Sequence, residues 1–296
     1  MGRVSYEEKM KLYYSLYEQL YKVPTACTAE LSRRTVICRN TVSKYLNEMY
    51  DQGILIPPFL SLKSIHPYAE YVSLLNFDNI HSLTPRLKTF PAMVEGIRCA
   101  LDWNYLSVTT HPLDFRCLTH FRSQLFQGRK EQIITPRCSL SEATALESPP
   151  SLPLRTPPTH HTIPWNEDEW SLYMLFRSDI NTSVTPLLKK TPIRYDTYLS
   201  WKKTLPTFTT THVLFYPHGY AAYTHWYFLI ETVYDLSEMF EQWPASCILT
   251  DLGKYILLHI PVCSPFQVQK MLQILDILQD NSFIRPCYHG VALTNL

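Results

Sequence analysis

Two short stretches of this sequence concentrate cations. Arg33, Arg34, Arg39 and Lys44 fall between Leu31 and Asn47 with no acid among them, and Lys189, Lys190, Arg194, Lys202 and Lys203 fall in a second stretch against Asp196 alone. The whole chain carries a formal charge of only +1, so these are local patches and not a general basicity. Cations interleaved with short polar side chains suit double-stranded DNA, because ammonium and guanidinium groups neutralise phosphates while Arg and Asn pair with guanine and adenine edges. Arg39 and Asn40 are the candidate base readers. Arg33, Arg34, Thr41, Ser43 and Lys44 are candidates for phosphate or base contact, and Lys189, Lys190, Arg194, Lys202 and Lys203 form a second phosphate-facing set. The second set places Tyr195 and Asp196 where the first has Arg39 and Asn40, so it is expected to read fewer bases.

Other chemistry finds less support. Eleven His are present, but His212, His218 and His225 stand at spacings that match no common metal-ligand motif, and His160-His161 lies in a Pro-rich stretch and reads as solvated. The eight Cys form no Cys-x-x-Cys pair and are read mostly as small buried residues. No Gly-rich phosphate loop and no hydrolase-like arrangement of Ser, His and acid is found. The reading is therefore of a protein that is not an enzyme and uses no cofactor and no metal. No apolar run reaches membrane-spanning length and no signal peptide is recognised, so the expectation is a cytoplasmic protein without a membrane partner.

The elements that must position the first cationic patch follow from apolar spacing. Tyr6, Met10, Tyr13, Tyr14, Leu16, Tyr17, Leu20 and Tyr21 give an amphipathic helix within 5–23, stopped by Pro24. A short helix over 28–34 follows. Then comes a tight turn over 35–38 with Val36 and Ile37 pointing inward, and a helix over 39–52 ended by Gly53 in a left-handed cap. This order is a helix-turn-helix, whose third helix enters the major groove. Downstream, strands over 71–77, 94–99, 103–110 and 130–135 and helices over 80–90 and 114–126 give the order β-α-β-β-α-β of a ferredoxin-like domain.

The unit recurs. LSRRTVICRNT from Leu31 aligns with LLKKTPIRYDT from Leu187, and Phe90-Pro91-Ala92 aligns with Trp243-Pro244-Ala245 at a near-equal offset. The Pro-rich stretch 136–164 buries little and separates the copies. Expected domains are a winged helix-turn-helix at 1–62, an α+β domain at 63–135, a linker at 136–164, a divergent winged helix-turn-helix at 165–224 and a second α+β domain at 225–296. In the second copy, 212–216 and 220–224 read as a hairpin wing about Gly219, followed by a strand over 227–233, a helix over 236–242, strands over 247–250 and 254–260, a helix over 265–279 and a strand over 283–288.

The segments TAELSRRTVICRNTVSKYLNEMYDQGIL, AEYVSLLNF and LKTFPAMVEGIRCALDWNYLSV resemble the Lrp/AsnC (feast/famine) family of transcription regulators. The resemblance implies a DNA-binding regulator with a winged helix-turn-helix joined to an α+β domain that oligomerises and senses a small-molecule effector. The partner would be double-stranded DNA, and the assembly a homodimer or an intramolecular pseudo-dimer. The turn Ala100-Leu101-Asp102 lacks the glycine that the family uses to hold an amino-acid effector, which argues against an ordinary amino-acid response. Two alternatives stand beside this reading. Sirohaem decarboxylases share the fold, and His218-Gly219-Tyr220 through His225-Trp226-Tyr227-Phe228 is similar to one of their segments, which implies a tetrapyrrole enzyme. The other alternative is an interaction module that does not bind DNA.

Overall fold

The first helix, α1 (Tyr6–Lys22), is fixed at its start by a capping box between Ser5 and Glu8, and its Met10, Tyr13, Leu16, Tyr17 and Leu20 are buried as the spacing requires. The computed structural model describes residues 5–66, 68–140, 151–285 and 288–294. Helices α2 (Thr28–Thr35) and α3 (Arg39–Asp51) pack on α1 through Leu31, Val42, Tyr45 and Met49, which completes the first helix-turn-helix. Gly53 takes the left-handed conformation anticipated for it. Val36 does not point inward: it caps α2 at φ 59° and is 94% exposed, because the turn needs a left-handed residue and only Ile37 can then reach the core.

The chain is mixed α+β. Strands β1 (Leu55–Leu62), β2 (Ile65–His66) and β3 (Glu70–Phe77) precede α4 (Ile80–Lys88), and β4 (Met93–Leu101), β5 (Tyr105–Thr109), β6 (Phe121–Lys130), β7 (Ile133–Ile134) and β8 (His161–Thr162) follow it. The second half runs α5 (Glu167–Phe176), α6 (Val184–Leu188), α7 (Tyr195–Phe208), β9 (Thr209–Phe215), β10 (Thr224–Glu231), α8 (Ser237–Phe240), β11 (Ile248–Leu252), β12 (Tyr255–Val262), α9 (Pro265–Asp280) and β13 (Tyr288–Thr294).

Nine strands form one sheet in the order β6-β3-β5-β4-β13-β10-β12-β11-β7. Each half contributes four strands in the ferredoxin-like order, and the halves join where β4 pairs with β13. The chain passes from β6 at one edge to β7 at the other through Glu131 and Gln132 alone, with Asp251 N–H donating to Gln132 O at 2.8 Å. Three peptide steps span at most about 11 Å, so the sheet curls until its edges nearly meet. Its concave face carries Val72, Leu74, Leu106, Val108, Tyr227, Leu229 and Leu257, every second residue of their strands. Helix α4 packs the opposite face of the first half, and α8 and α9 that of the second.

Several elements differ from the sequence reading. The expected helix over 114–126 is a single 3-10 turn, Phe115–Cys117, followed by β6, because β3 needs an antiparallel partner on its free side and Phe121–Lys130 supplies it. The expected hairpin wing of the second half does not form. Strand β9 pairs instead with β1 of the first half, and Tyr220–Ala222 is a 3-10 turn. The last strand lies later than expected, at Tyr288–Thr294, since Phe283 and Ile284 are used to pack under α9. The Pro-rich stretch buries more than its composition suggested. Cys138, Leu152 and Ile163 are core residues, and β8 pairs with β2, although 141–150 lie outside the described residues. Of the seven described Cys, only Cys99, Cys138 and Cys247 are buried, fewer than anticipated.

Candidate active site

The β1–β9 ribbon lies over the concave face of the curled sheet and leaves a cavity of about 370 Å³ between them. Ile56 and Phe59 from β1 and Leu214 from β9 roof it, and Val72, Ile97, Leu106, Val108, Ile248 and Leu257 floor it. A second space of about 340 Å³ shares Ile56, Phe59, Glu95, Lys130 and Ile133 with the first and continues toward Glu70, Tyr173 and Arg177. The result is an apolar chamber with a charged vestibule.

Strand alternation places two ionisable residues on the apolar face. Glu95 stands two residues before Ile97 on β4, and His259 two residues after Leu257 on β12, so both project into the chamber. Glu95 is exposed to solvent, yet the protein packed around it raises its pKa, with Lys130 opposing the rise. His259 is only 4% exposed and is held well below the ordinary histidine pKa, first by burial and then by His225. Tyr216, Tyr220 and Tyr227 complete the polar lining, and burial pushes their phenols upward.

A hydrogen-bond chain fixes the tautomer of His259. His225 Nε2 lies 3.2 Å from the Tyr220 carbonyl, and His225 Nδ1 lies 2.8 Å from His259 Nε2. A carbonyl only accepts, so His225 Nε2 carries the proton. Neutral His225 then has a bare Nδ1, which must accept from His259 Nε2–H, and His259 is left with a bare Nδ1. That nitrogen has no hydrogen-bond partner, and neither does the Tyr216 hydroxyl. Two unsatisfied buried polar atoms, on residues that line one cavity, cost about 1–3 kcal/mol each. The turn that brings the Tyr220 carbonyl to His225 needs glycine at 219: its φ is +80°, and a Cβ there would stand 2.5 Å from the Gln52 carbonyl oxygen.

A third histidine has a structural role. His212 bridges Ser61 Oγ at 2.6 Å and Thr135 Oγ1 at 3.1 Å, tying β9 to β1 and to the segment after β7. Burial, with a smaller effect from Lys130, lowers its pKa to about 4 from 6.5. The unfolded chain therefore binds the proton first, so the stability contribution is intact above pH 6.5 and is lost progressively as pH falls to about 4. We expect a loss of about 3 kcal/mol from this residue over that interval. His212→Gln should flatten the urea midpoint-versus-pH profile in that window, and an unchanged acid limb would show that His212 is not its cause.

The predicted DNA-contacting residues lie away from this cavity. Arg33, Arg34, Arg39, Asn40, Ser43 and Lys44 are exposed and Thr41 is half-buried along α2 and α3. Arg34 pairs with Glu30 at 2.6 Å and Lys44 lies 3.8 Å from Glu48. Lys189, Lys190, Arg194, Lys202 and Lys203 are likewise exposed around α6 and α7. Sequence reasoning did not single out Glu95, His259 or Tyr216. The available signal was a polar residue at an inward position of an apolar strand, as in Tyr-Ile-Leu-Leu-His-Ile from Tyr255. No group of metal-binding side chains occurs among the described residues, and no helix among them is long and apolar enough to cross a membrane.

Fold and cavity together define an α+β protein in which two helix-turn-helix units, joined by the shared β1–β9 ribbon, and two ferredoxin-like half-sheets surround a chamber within one chain. No protein-family model matches the chain, and no curated protein matches it. Among solved structures it is similar to the siroheme decarboxylase NirDL, with a TM-score of 0.51 at 11% identity, covering 96% of this chain and 91% of that one. The same enzyme in complex with an iron-uroporphyrin III analogue gives a TM-score of 0.52 at the same identity and coverage. A transcriptional regulator of Neisseria meningitidis in complex with L-Met covers 40% of this chain at a TM-score of 0.32 and 13% identity. The likeness to NirDL establishes the fold. It also corrects the expectation of a protein that is not an enzyme, because the structures matched over nearly the full length are those of an enzyme.

Proposed function

We propose that this chain is an enzyme on the siroheme-decarboxylase scaffold and that its reaction takes place in the chamber beneath the β1–β9 ribbon. The single observation that supports this most is the bare Nδ1 of His259, a buried acceptor without a partner on a residue that lines the apolar cavity, backed by His225 and the Tyr220 carbonyl. The proposed reaction is non-oxidative loss of carbon dioxide from a carboxylic acid. The bound carboxylate would lose carbon dioxide, and His259 would pass one proton from solvent to the carbon left behind, so that carboxylate plus one proton becomes a C–H bond plus carbon dioxide. Low dielectric around the site favours departure of neutral carbon dioxide from a charged carboxylate.

Siroheme itself fits this chamber poorly. It is an octacarboxylate macrocycle, whereas the lining offers Lys130 and Arg177 already facing Glu70, with Glu95 as a further acid. The test is carbon dioxide release and solvent-deuterium incorporation across a panel of aromatic and aliphatic acids, with siroheme included. Turnover of a small acid would support the reading, and silence across the panel would contradict it.

A second reading is favoured by the exposure of the cationic helix faces. In it, α3 binds double-stranded DNA through Arg39, Asn40 and Lys44, with Arg33, Arg34, Thr41 and Ser43 beside them, and the α6–α7 cations add phosphate contacts. The division at 136–164 would then separate two such reading units. Changing Arg39, Asn40 and Lys44 together to Ala should weaken DNA binding by about 10²-fold and reduce the salt slope by roughly two. Equal affinity of the triple variant in a filter-binding titration would remove this reading.

A further inference from the structure

The charges around the cavity set the class of acid it can take, an inference that rests on the chamber being the reaction site. Lys130 Nζ lies 2.5 Å from Glu70 Oε2, Arg177 Nη1 lies 3.5 Å from Glu70 Oε1, and the Tyr68 hydroxyl donates to Glu70 at 3.3 Å. Two cations thus face one carboxylate, and Glu70 is itself buried. One positive charge is left over at the vestibule. Glu95, on the wall common to the vestibule and the chamber, offsets it when ionised. Charge imbalance around buried Glu70 is costly, so the site favours ligand states that keep this group neutral in sum.

A polyanion overwhelms one spare positive charge. A cation would leave the site charged. A neutral ligand leaves Glu95 ionised and gains nothing from Lys130 or Arg177. A monocarboxylate balances the site if Glu95 takes a proton, and the carboxyl of Glu95 can then donate a hydrogen bond to the ligand carboxylate. Beyond the vestibule the lining is aliphatic and aromatic, and its volume lies at the small end of ligand sites, which are about 300–1,000 Å³.

We infer that the cavity binds a compact monocarboxylic acid with an apolar body, its carboxylate held between Lys130, Arg177 and Glu95, and that binding takes up one proton. The groups that face Glu95 are Glu70 on β3, Lys130 at the end of β6, Arg177 at the end of α5, Tyr216 and Tyr220 after β9, Tyr227 on β10 and His259 on β12. Glu70 is already paired with both cations, which leaves Glu95 as the unpaired carboxyl beside an arriving anion; burial raises its pKa while Lys130 and Arg177 lower it. His259 is held neutral by its surroundings and by His225, and Lys130 and Arg177 both face Glu70.

The test is calorimetric titration of the full chain at neutral pH in two buffers of different ionisation enthalpy. The probes are 2-naphthoate, 2-naphthamide, 2-naphthylmethylamine and iron uroporphyrin. Naphthoate should bind about tenfold or more tighter than the amide and the amine, a difference typical of one charge-assisted pair, with close to one proton taken up per ligand. Glu95→Gln should still bind naphthoate but take up no proton, and Lys130→Met should weaken naphthoate selectively. Equal or tighter binding of the amide or amine, proton uptake that persists in Glu95→Gln, or tighter binding of iron uroporphyrin would overturn the charge inference while leaving the chamber as a ligand site. If none of the probes binds, or if Val108→Trp fails to block naphthoate, the chamber reading falls together with it.

Discussion

Replacing His259 with glutamine is expected to lower turnover of the cavity's acid substrate by about 10²–10⁴-fold, the usual contribution of a positioned acid–base group. The substitution is chosen for what it keeps. A glutamine amide can still donate to His225 Nδ1, which His259 Nε2 now does at 2.8 Å, so the chain back to the Tyr220 carbonyl survives. What it removes is the bare ring nitrogen able to accept and return a proton. Substrate affinity should change little, because Lys130, Arg177 and the apolar floor are untouched, and the loss should fall on kcat. An effect on KM alone would assign His259 to binding. Full activity in the variant would remove it from the chemistry.

The second large effect concerns the join between the halves. Trp103 is fully buried, and Gly290 on β13 lies so close that a Cβ there would stand 2.6 Å from the indole ring. Leu101 pairs with Gly290 across the β4–β13 seam, and Asp102 accepts a hydrogen bond from His289 N–H at 2.7 Å. The indole therefore packs at the point where one half-sheet continues into the other. Trp103→Ala should cost about 3–5 kcal/mol, the range for a fully buried large aromatic. Gly290→Val should be comparably damaging, since the ring cannot retreat from both the seam and the concave core. Loss of the seam would also open the chamber, so ligand binding should weaken in parallel with the urea midpoint. A loss below about 1 kcal/mol would mean that the halves are held together elsewhere.

Much of the helical and sheet order was legible because it is written locally. The apolar stripe of α1, the left-handed Gly53 and the strands β3, β4 and β5 follow from spacing and turn chemistry. The duplication also announced itself, and the two half-sheets have the same strand order. What escaped was non-local. Whether Phe121–Lys130 is helix or strand is decided by the vacant side of β3, and whether Thr209–Phe215 forms a wing or a roof is decided by β1, far away in the chain. The candidate site escaped for the same reason. Glu95 and His259 belong to different halves, and each looks like an isolated polar residue until the curled sheet aims both at one space. The cationic residues drew notice first because charge runs are visible in sequence, whereas a buried acceptor with no partner is visible only in three dimensions.

The proposed chemistry turns on the tautomer of His259, with Nδ1 bare. Long-range proton–nitrogen correlation on protein carrying ¹⁵N-histidine, assigned with His259→Gln, measures this directly. We expect a non-protonated Nδ1 resonance for His259 at neutral pH that shifts on addition of 2-naphthoate. A protonated Nδ1, or a non-protonated one that does not respond to the acid while the acid binds, would contradict it.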